Sequence, residues 1–198
     1  MRFAAKKAAG AGERPLGWWR AAFPRRGASL DLVDFPLVGS SIVLRPFTLA
    51  DVPAAHLIYS DSAVMRYVGH GAVSSMTGTE SMLRQYMAHQ RTHGFGFWAV
   101  VDKGTGTVIG DAGLARTVDG EVEMGYTLAK DWWGKGIATQ AAALCVDAAR
   151  GPLELPRLRA LVEAPNQASR HVLEKLGFER DGVTMAFDRE HLVYRLTL

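Results

Sequence analysis

Ile137, Ala141, Leu144, Cys145 and Ala148 fall at i, i+4, i+7, i+8 and i+11, which is one apolar stripe on an amphipathic helix. That helix opens straight out of the segment W-G-K-G-I-A-T at 133 to 139, and an apolar strand-like run, E-M-G-Y-T-L at 123 to 128, comes just before. Further on, L-R-A-L-V-E-A at 158 to 164 reads as a strand and P-N-Q-A-S-R-H-V-L-E-K-L-G-F at 165 to 178 as a short helix with legible ends. Asn166 is a favoured N-cap, Ala168, Val172, Leu173 and Leu176 make the apolar face, and Gly177 suits a left-handed C-terminal position with Phe178 packing back on Leu173.

The earlier part of the chain alternates in the same way. Thr48-x-x-Asp51 and Thr77-x-x-Glu80 predict capped helices near 50 to 59 and 79 to 92, the second ending at Gly94. Between them and the glycine segment, F-W-A-V-V-D at 97 to 102 and V-I-G-D-A-G-L at 108 to 114 predict strands, and Asp119-Gly120 marks a hairpin. Two closing strands end in H-L-V-Y-R-L-T-L. The whole predicts an α/β (α+β) fold, a mixed and mostly antiparallel sheet with helices on both faces.

A strand, a glycine-spaced turn and a helix make an anion cradle. Gly134 and Gly136 can adopt backbone angles closed to other residues, and the first helical turn adds unpaired N–H groups and the positive end of its dipole. Two better-known phosphate motifs fit badly. A P-loop needs Ser or Thr after Gly134-Lys135, where Gly136 stands, and a glycine at Ala129. A dinucleotide fingerprint would need its third glycine at Thr139.

Composition narrows the class. With 198 residues, 48% hydrophobic and 22% charged, the chain can bury a full core and is expected to form one domain. Its apolar runs are shorter than the roughly 18 residues that span a bilayer, so a cytoplasmic protein is expected. The single Cys145 lies on the apolar stripe, which leaves no disulfide framework and no thiolate pair for a metal. Charge is uneven: residues 1 to 28 hold seven Lys/Arg and one acid, net +6, whereas the whole chain is +3. Residues 1 to 39 are therefore expected to be a basic extension, with Trp18, Trp19 and Phe23 interleaved, able to meet RNA or an anionic membrane surface; a tail with no partner is the plainer reading.

The two strand-turn-helix units together resemble the GNAT family of N-acetyltransferases, over residues 40 to 198, and most closely the RimJ/RimL-like branch that acetylates ribosomal-protein N-termini. I-V-L-R-P-F-T-L-A-D at 42 to 51 and the strands at 97, 108 and 123 resemble that branch. The turn resembles the family signature Q/R-x-x-G-x-G/A, with Gly136 and Ala138 in the last two places and Trp133 where the family has Gln or Arg. The resemblance implies acetyl-CoA as cosubstrate, no metal, a splayed strand pair at the cofactor site, and an acceptor that is the α-amine of a peptide or protein. A homodimer is compatible with it.

By the same resemblance the pyrophosphate would sit on Gly134, Lys135, Gly136, Ile137, Ala138 and Thr139, the pantetheine arm and thioester on Tyr126, Thr127 and Leu128, and Asn166 would touch the coenzyme. Glu123 is the candidate general base, through water, and Ser169 or a nearby Tyr the donor to the departing thiolate, which is already stable near the free-thiol pKa of ~8.5. Plainer readings stand beside these: helix capping for Asn166 and Ser169, and a salt-bridged strand carboxylate for Glu123 and for Glu121, which shares its face. His89 and His93, i and i+4, read as a solvated C-terminal helical turn rather than a metal pair. Rival functions are a silent coenzyme-binding module, an acetyltransferase of small amines such as polyamines or aminoglycosides, and a nucleotide-dependent oxidoreductase with Glu163 on the ribose.

Overall fold

The apolar run F-W-A-V-V-D becomes a strand buried at all six of its positions, Phe97–Asp102, as expected of a strand covered on both faces. The computed structural model describes residues 32–198, so the basic arm at 1 to 28 lies outside the described residues. Around that strand, β3, an eight-stranded sheet is assembled among the described residues: β1 (Leu37–Val38), β2 (Ile42–Pro46), β4 (Val108–Arg116), β5 (Val122–Leu128), β6 (Arg157–Val162), β7 (Glu179–Ala186) and β8 (Arg189–Thr197). The order is β1-β2-β3-β4-β5-β6-β8-β7. Every pairing is antiparallel except β5 with β6, whose crossover is the stripe-bearing helix α4 (Ile137–Arg150, numbered in chain order).

Alternation along the strands sends side chains to two cores. Even positions such as Trp98, Val100, Ala112, Leu114 and Met124 pack with Ile137, Ala141, Cys145 and Ala148 of α4 and with Leu173 of α5 (Gln167–Lys175). Odd positions such as Phe97, Ala99 and Ala115 pack with α1 (Val52–Tyr59), α2 (Ser62–Met65) and α3 (Met76–His93). Helices therefore cover both faces, and the expected mixed sheet is present. Val33 and Phe35 also pack into the α4 side, and β1 pairs with β2, so the chain already contributes to the body before Ser40.

The helix ends follow local chemistry. Asp51 accepts from the Thr48 N–H (2.8 Å) and hydroxyl (3.0 Å), the expected reciprocal cap, and Arg45 binds both of its oxygens at 2.8 and 2.7 Å. Helix α3 starts earlier than predicted, at Met76 rather than 79. Ser75 is its cap, accepting from the Gly78 N–H at 3.0 Å, while Thr77 lies inside the first turn and Glu80 turns forward to pair with Arg84 at 2.6 Å. Gly94 ends it in the left-handed conformation, φ 78°. The Asp119-Gly120 hairpin joins β4 to β5 as read, with Gly120 at φ 84°.

The cap assignment is testable by urea unfolding. Ser75→Ala should lower stability by about 1 kcal/mol. Thr77→Ala should cost less, because it removes no cap and improves helix propensity; the reverse ranking would place the helix start at Thr77.

Candidate active site

The site begins where β5 and β6 part. They share a single rung, Glu123 opposite Arg159, while β5 stays paired with β4 from Val122 to Leu128. Beyond Glu123 the β6-side edge of β5 is left without a ladder, and a cleft of about 750 Å³ runs past it. A side chain at Gly134 (φ 72°) or Gly136 (φ 75°) would meet no atom within 4 Å, so both glycines present bare backbone to open space. Gly136 is the N-cap of α4 and no side chain caps it, which leaves the first-turn N–H groups of Ile137, Ala138 and Thr139 for a ligand. Trp133 fastens this turn to the end of β5 through its indole N–H, 2.8 Å from the Leu128 carbonyl, and the Lys135 ammonium lies over the Trp132 ring at 5.2 Å. All of 132 to 139 except Lys135 lines the cleft.

Helix α5 forms the opposite wall. Its C-terminus is a Schellman turn: Phe178 N–H reaches the Leu173 carbonyl (3.0 Å), Gly177 N–H reaches that of Glu174 (3.1 Å), and Gly177 has φ 83°. At its N-terminus Asn166 Oδ1 accepts from the Ser169 N–H at 3.2 Å, so the capping reading holds for Asn166, which also lines the cleft. Tyr126 crosses from β5 to this turn: its hydroxyl donates to the Ser169 carbonyl at 3.1 Å and lies 2.9 Å from Ser169 Oγ. Burial pushes the Tyr126 phenol up to about 12, so the pair is a protonated hydroxyl couple at neutral pH. Tyr126, Thr127, Leu128, Asn166 and Ser169 are thus brought to one cleft with the glycine cradle.

Glu123 sits on that cleft and is only 7% exposed. Both bonds from Arg159 fall on its Oε2, at 3.0 Å from Nη2 and 3.2 Å from Nε, so Oε1 accepts nothing among the described residues. Burial pushes its carboxyl up to about 7 against the pull of Arg159, which suits a base working near neutrality. Glu121 is different. Arg195 and Arg159 hold it below the usual carboxylate range, and with Asp119 and Asp181 it belongs to a charge ladder from the β4–β5 turn across β6 and β8 to β7.

Other expectations are corrected or extended. His89 is no solvated residue: it is buried, its Nε2 accepts from the Arg116 N–H at 3.2 Å, and burial lowers its pKa to about 3, with the His93 ring at 4.3 Å. Among the described residues no group of three or more His, Cys, Asp or Glu is placed to hold a metal. Glu163 is bound by Arg189, whose guanidinium also donates to the carbonyls of Arg66 (3.1 Å) and Gly69 (2.8 Å), strapping β8 to the loop after α2. Sequence reasoning missed Arg159, Arg189, His191 and Asp111, all of which touch or frame the cleft. Only Asp111 carried a visible signal, a carboxylate inside the apolar run V-I-G-D-A-G-L.

With the cradle, the split strands and the α5 wall in place, comparison with known proteins decides the family. A model of the acetyltransferase (GNAT) domain matches residues 41–179. The chain belongs to this family. An uncharacterized N-acetyltransferase, YoaA of Bacillus subtilis, is 29% identical over 153 residues, covering 75% of this chain and 86% of YoaA. The spermidine N(1)-acetyltransferase of Escherichia coli is 26% identical over 150 residues, 73% of this chain and 76% of that one. The solved structure of RimJ from Mycobacterium smegmatis, in complex with CoA-disulfide, superposes with a TM-score of 0.67 at 25% identity, over 79% of this chain and 81% of that one. This GNAT chain is an acyltransferase with a fold shared by RimJ, and GNAT acetyltransferases use acetyl-CoA. Among its described residues no helix is long and apolar enough to cross a membrane.

Proposed function

We propose that this GNAT chain transfers the acetyl group of acetyl-CoA to a primary amine, and that the α-amine of a peptide or protein is the acceptor it serves best. The observation that carries the reading is the continuity of one cleft from the uncapped N-terminus of α4 to the Glu123 carboxylate. Gly134, Gly136 and the first turn of α4 hold the pyrophosphate through backbone N–H groups, and free main-chain groups of β5 from Tyr126 to Leu128 take the pantetheine arm and the thioester oxygen. Asn166 closes the coenzyme side. The acceptor ammonium gives one proton to Glu123 Oε1 through water, its neutral nitrogen attacks the thioester carbonyl, the C–N bond forms, the nitrogen loses its second proton to solvent, and the C–S bond breaks. The thiolate takes its proton from solvent, directly or through the Tyr126–Ser169 hydroxyls, which regain one from solvent.

The acceptor choice rests on proton chemistry. At pH 7 an α-amine is roughly 10% neutral and a lysine side chain about 0.04%, a handicap on the order of 3 kcal/mol for lysine. One buried carboxylate suits the easier proton. Small polyamines are the second reading, favoured by the likeness to a spermidine N(1)-acetyltransferase. For the arm at 1 to 28, association with RNA or an anionic lipid surface remains our reading of its +6 charge.

Three outcomes test the assignment. Gly136→Asp should abolish acetyl-CoA binding in calorimetry while the protein stays folded, because it forces a side chain into φ 75° and points a negative charge at the pyrophosphate; unchanged affinity would remove the cradle from the site. Glu123→Gln should lower turnover most near neutral pH and progressively less as the amine deprotonates unaided. In the native enzyme the rate should rise as pH increases through about 7, where Glu123 ionises, and a variant with the native pH profile would show that another group is the base. Given a peptide with a free N-terminus and an internal lysine, the enzyme should acetylate the N-terminus first by mass spectrometry. Predominant lysine acetylation would sink the α-amine reading.

A further inference from the structure

Asp111 is a buried acid without a counter-ion. It is 1% exposed, it contributes to the wall of the cleft, and no Lys, Arg or His forms an ion pair with it among the described residues. The Tyr59 hydroxyl of α1 donates to its Oδ2 at 2.5 Å, and Thr127 faces it across the β4–β5 ladder. The Thr127 hydroxyl also lowers the Asp111 pKa, yet among the described residues Asp111 Oδ1 has no hydrogen-bond partner. Buried acids are rarely left so, since an unpaired carboxylate in a dry site costs several kcal/mol unless it keeps its proton or a cation joins it.

The surroundings say which cation. Asp111, Gly113 and Ala115 lie opposite Thr127, Gly125 and Glu123, so the sheet floor between the two carboxyls carries only glycine at its middle rung. A Cβ on Gly125 would come 3.1 Å from the Phe97 ring, so the ring packs directly over this glycine rung, between the two carboxyls. Phe97 and Tyr86 stack at 4.9 Å and 20°, and both line the cleft beside Asp111. A carboxylate beside aromatic rings is a site for an ammonium ion. Glu123 stands four positions from Thr127, the rung of Asp111, or ~13 Å along the strand. One amine cannot lie against both.

We propose that Asp111, with Tyr86 and Phe97, forms a subsite for a second ammonium group of the acceptor, one that is held while the other amine is acetylated near Glu123. The inference rests on the reading of this cleft as an amine acetyltransferase site. It names the acceptor class: a slim primary amine carrying another positive charge several bonds away, found both in a diamine and in a peptide whose second residue is lysine. Burial raises the Asp111 carboxyl to about 7, and an ammonium beside it would draw it down into the charged form.

The test compares matched acceptors on the full chain with acetyl-CoA, reading kcat/KM from thiol release. Diaminopentane is set against aminopentanol and pentylamine, and Ala-Lys-Ala amide against Ala-Leu-Ala amide, with N-terminal acetylation of the peptides followed by mass spectrometry. The native enzyme should favour the doubly charged member of at least one pair by about tenfold. In Asp111→Asn, which keeps an acceptor for the Tyr59 hydroxyl, that preference should fall to within about twofold of unity. The pair that shows the effect identifies the source of the second charge. Equal kcat/KM across both native series overturns the proposal without needing a variant, and so does a preference that survives in folded Asp111→Asn. Failure of every amine, charged or not, to be acetylated while acetyl-CoA still binds would instead strike the underlying activity and this subsite together; turnover of pentylamine alone strikes only the subsite.

Discussion

The Glu123 carboxylate and the Arg159 guanidinium meet at the one rung that β5 and β6 share, and the cleft exists because nothing holds the two strands together beyond it. A parallel join is reached only by a crossover, here α4, and the strand edges that diverge after the rung carry main-chain groups that must find partners elsewhere. They are tolerable because they line a cleft that a ligand or water can enter. Arg159 reaches Asp119 and Glu121 as well, at 3.1 and 2.8 Å, so loss of the Glu123 carboxylate leaves the guanidinium still paired. Loss of Arg159 would strand a nearly buried carboxylate, the kind of break that costs about 3 to 5 kcal/mol. The ion pair therefore acts on the structure mainly through Arg159, which leaves the Glu123 carboxylate free to act as the base proposed above.

Beyond the rung, alternation gives one strand two different faces. Met124, Tyr126 and Leu128 turn toward α4 and α5, where the cradle and the Asn166 turn stand; Glu123, Gly125 and Thr127 turn toward α1 and α3. A coenzyme entering from the first side and an acceptor from the second would meet at the backbone of β5 without sharing side chains. The Tyr126 link to Ser169 then ties a short capped helix to a strand that is fixed by seven rungs to β4. A thioester lying along β5 would have its geometry set by the sheet, and not by a loop.

How legible this was depended on the range of the interaction concerned. The Thr48-Asp51 cap, the Asp119-Gly120 turn, the Gly94 and Gly177 ends and the α4 stripe are all decided within a few residues, and each could be read from the letters. Thr77 misled because two hydroxyls near one helix start compete, and only the backbone direction at Ser75 decides between them. The cradle and the Asn166 turn were visible as motifs, but that Tyr126 joins them was not, since 43 residues separate it from Ser169. Arg159, Arg189 and Asp111 act across strands whose register the sequence does not state. His89 was misjudged for a related reason: a helix C-terminus favours a charged histidine only where water reaches it.

The buried carboxylates and their neighbours sort themselves by how well they are satisfied. Asp51 accepts from Thr48 and binds Arg45 with both oxygens. Asp102 accepts from the Thr105 N–H and hydroxyl at 2.8 Å each, in a turn it builds. His191 keeps Nδ1 on the Arg189 carbonyl at 3.1 Å, and Glu123 keeps Oε2 on Arg159. Groups that serve the fold alone have no reason to leave a partner missing, because each orphaned atom costs on the order of 1 to 3 kcal/mol and selection can remove it with a neutral side chain. Among the described residues, the carboxylate oxygens left over in this cleft are Glu123 Oε1 and Asp111 Oδ1, and both belong to the same face of the sheet. Two unfilled acceptors on one sheet face, with aromatic rings beside one of them, are what the proposed amine acceptor would need, and no motif in the chain announces them.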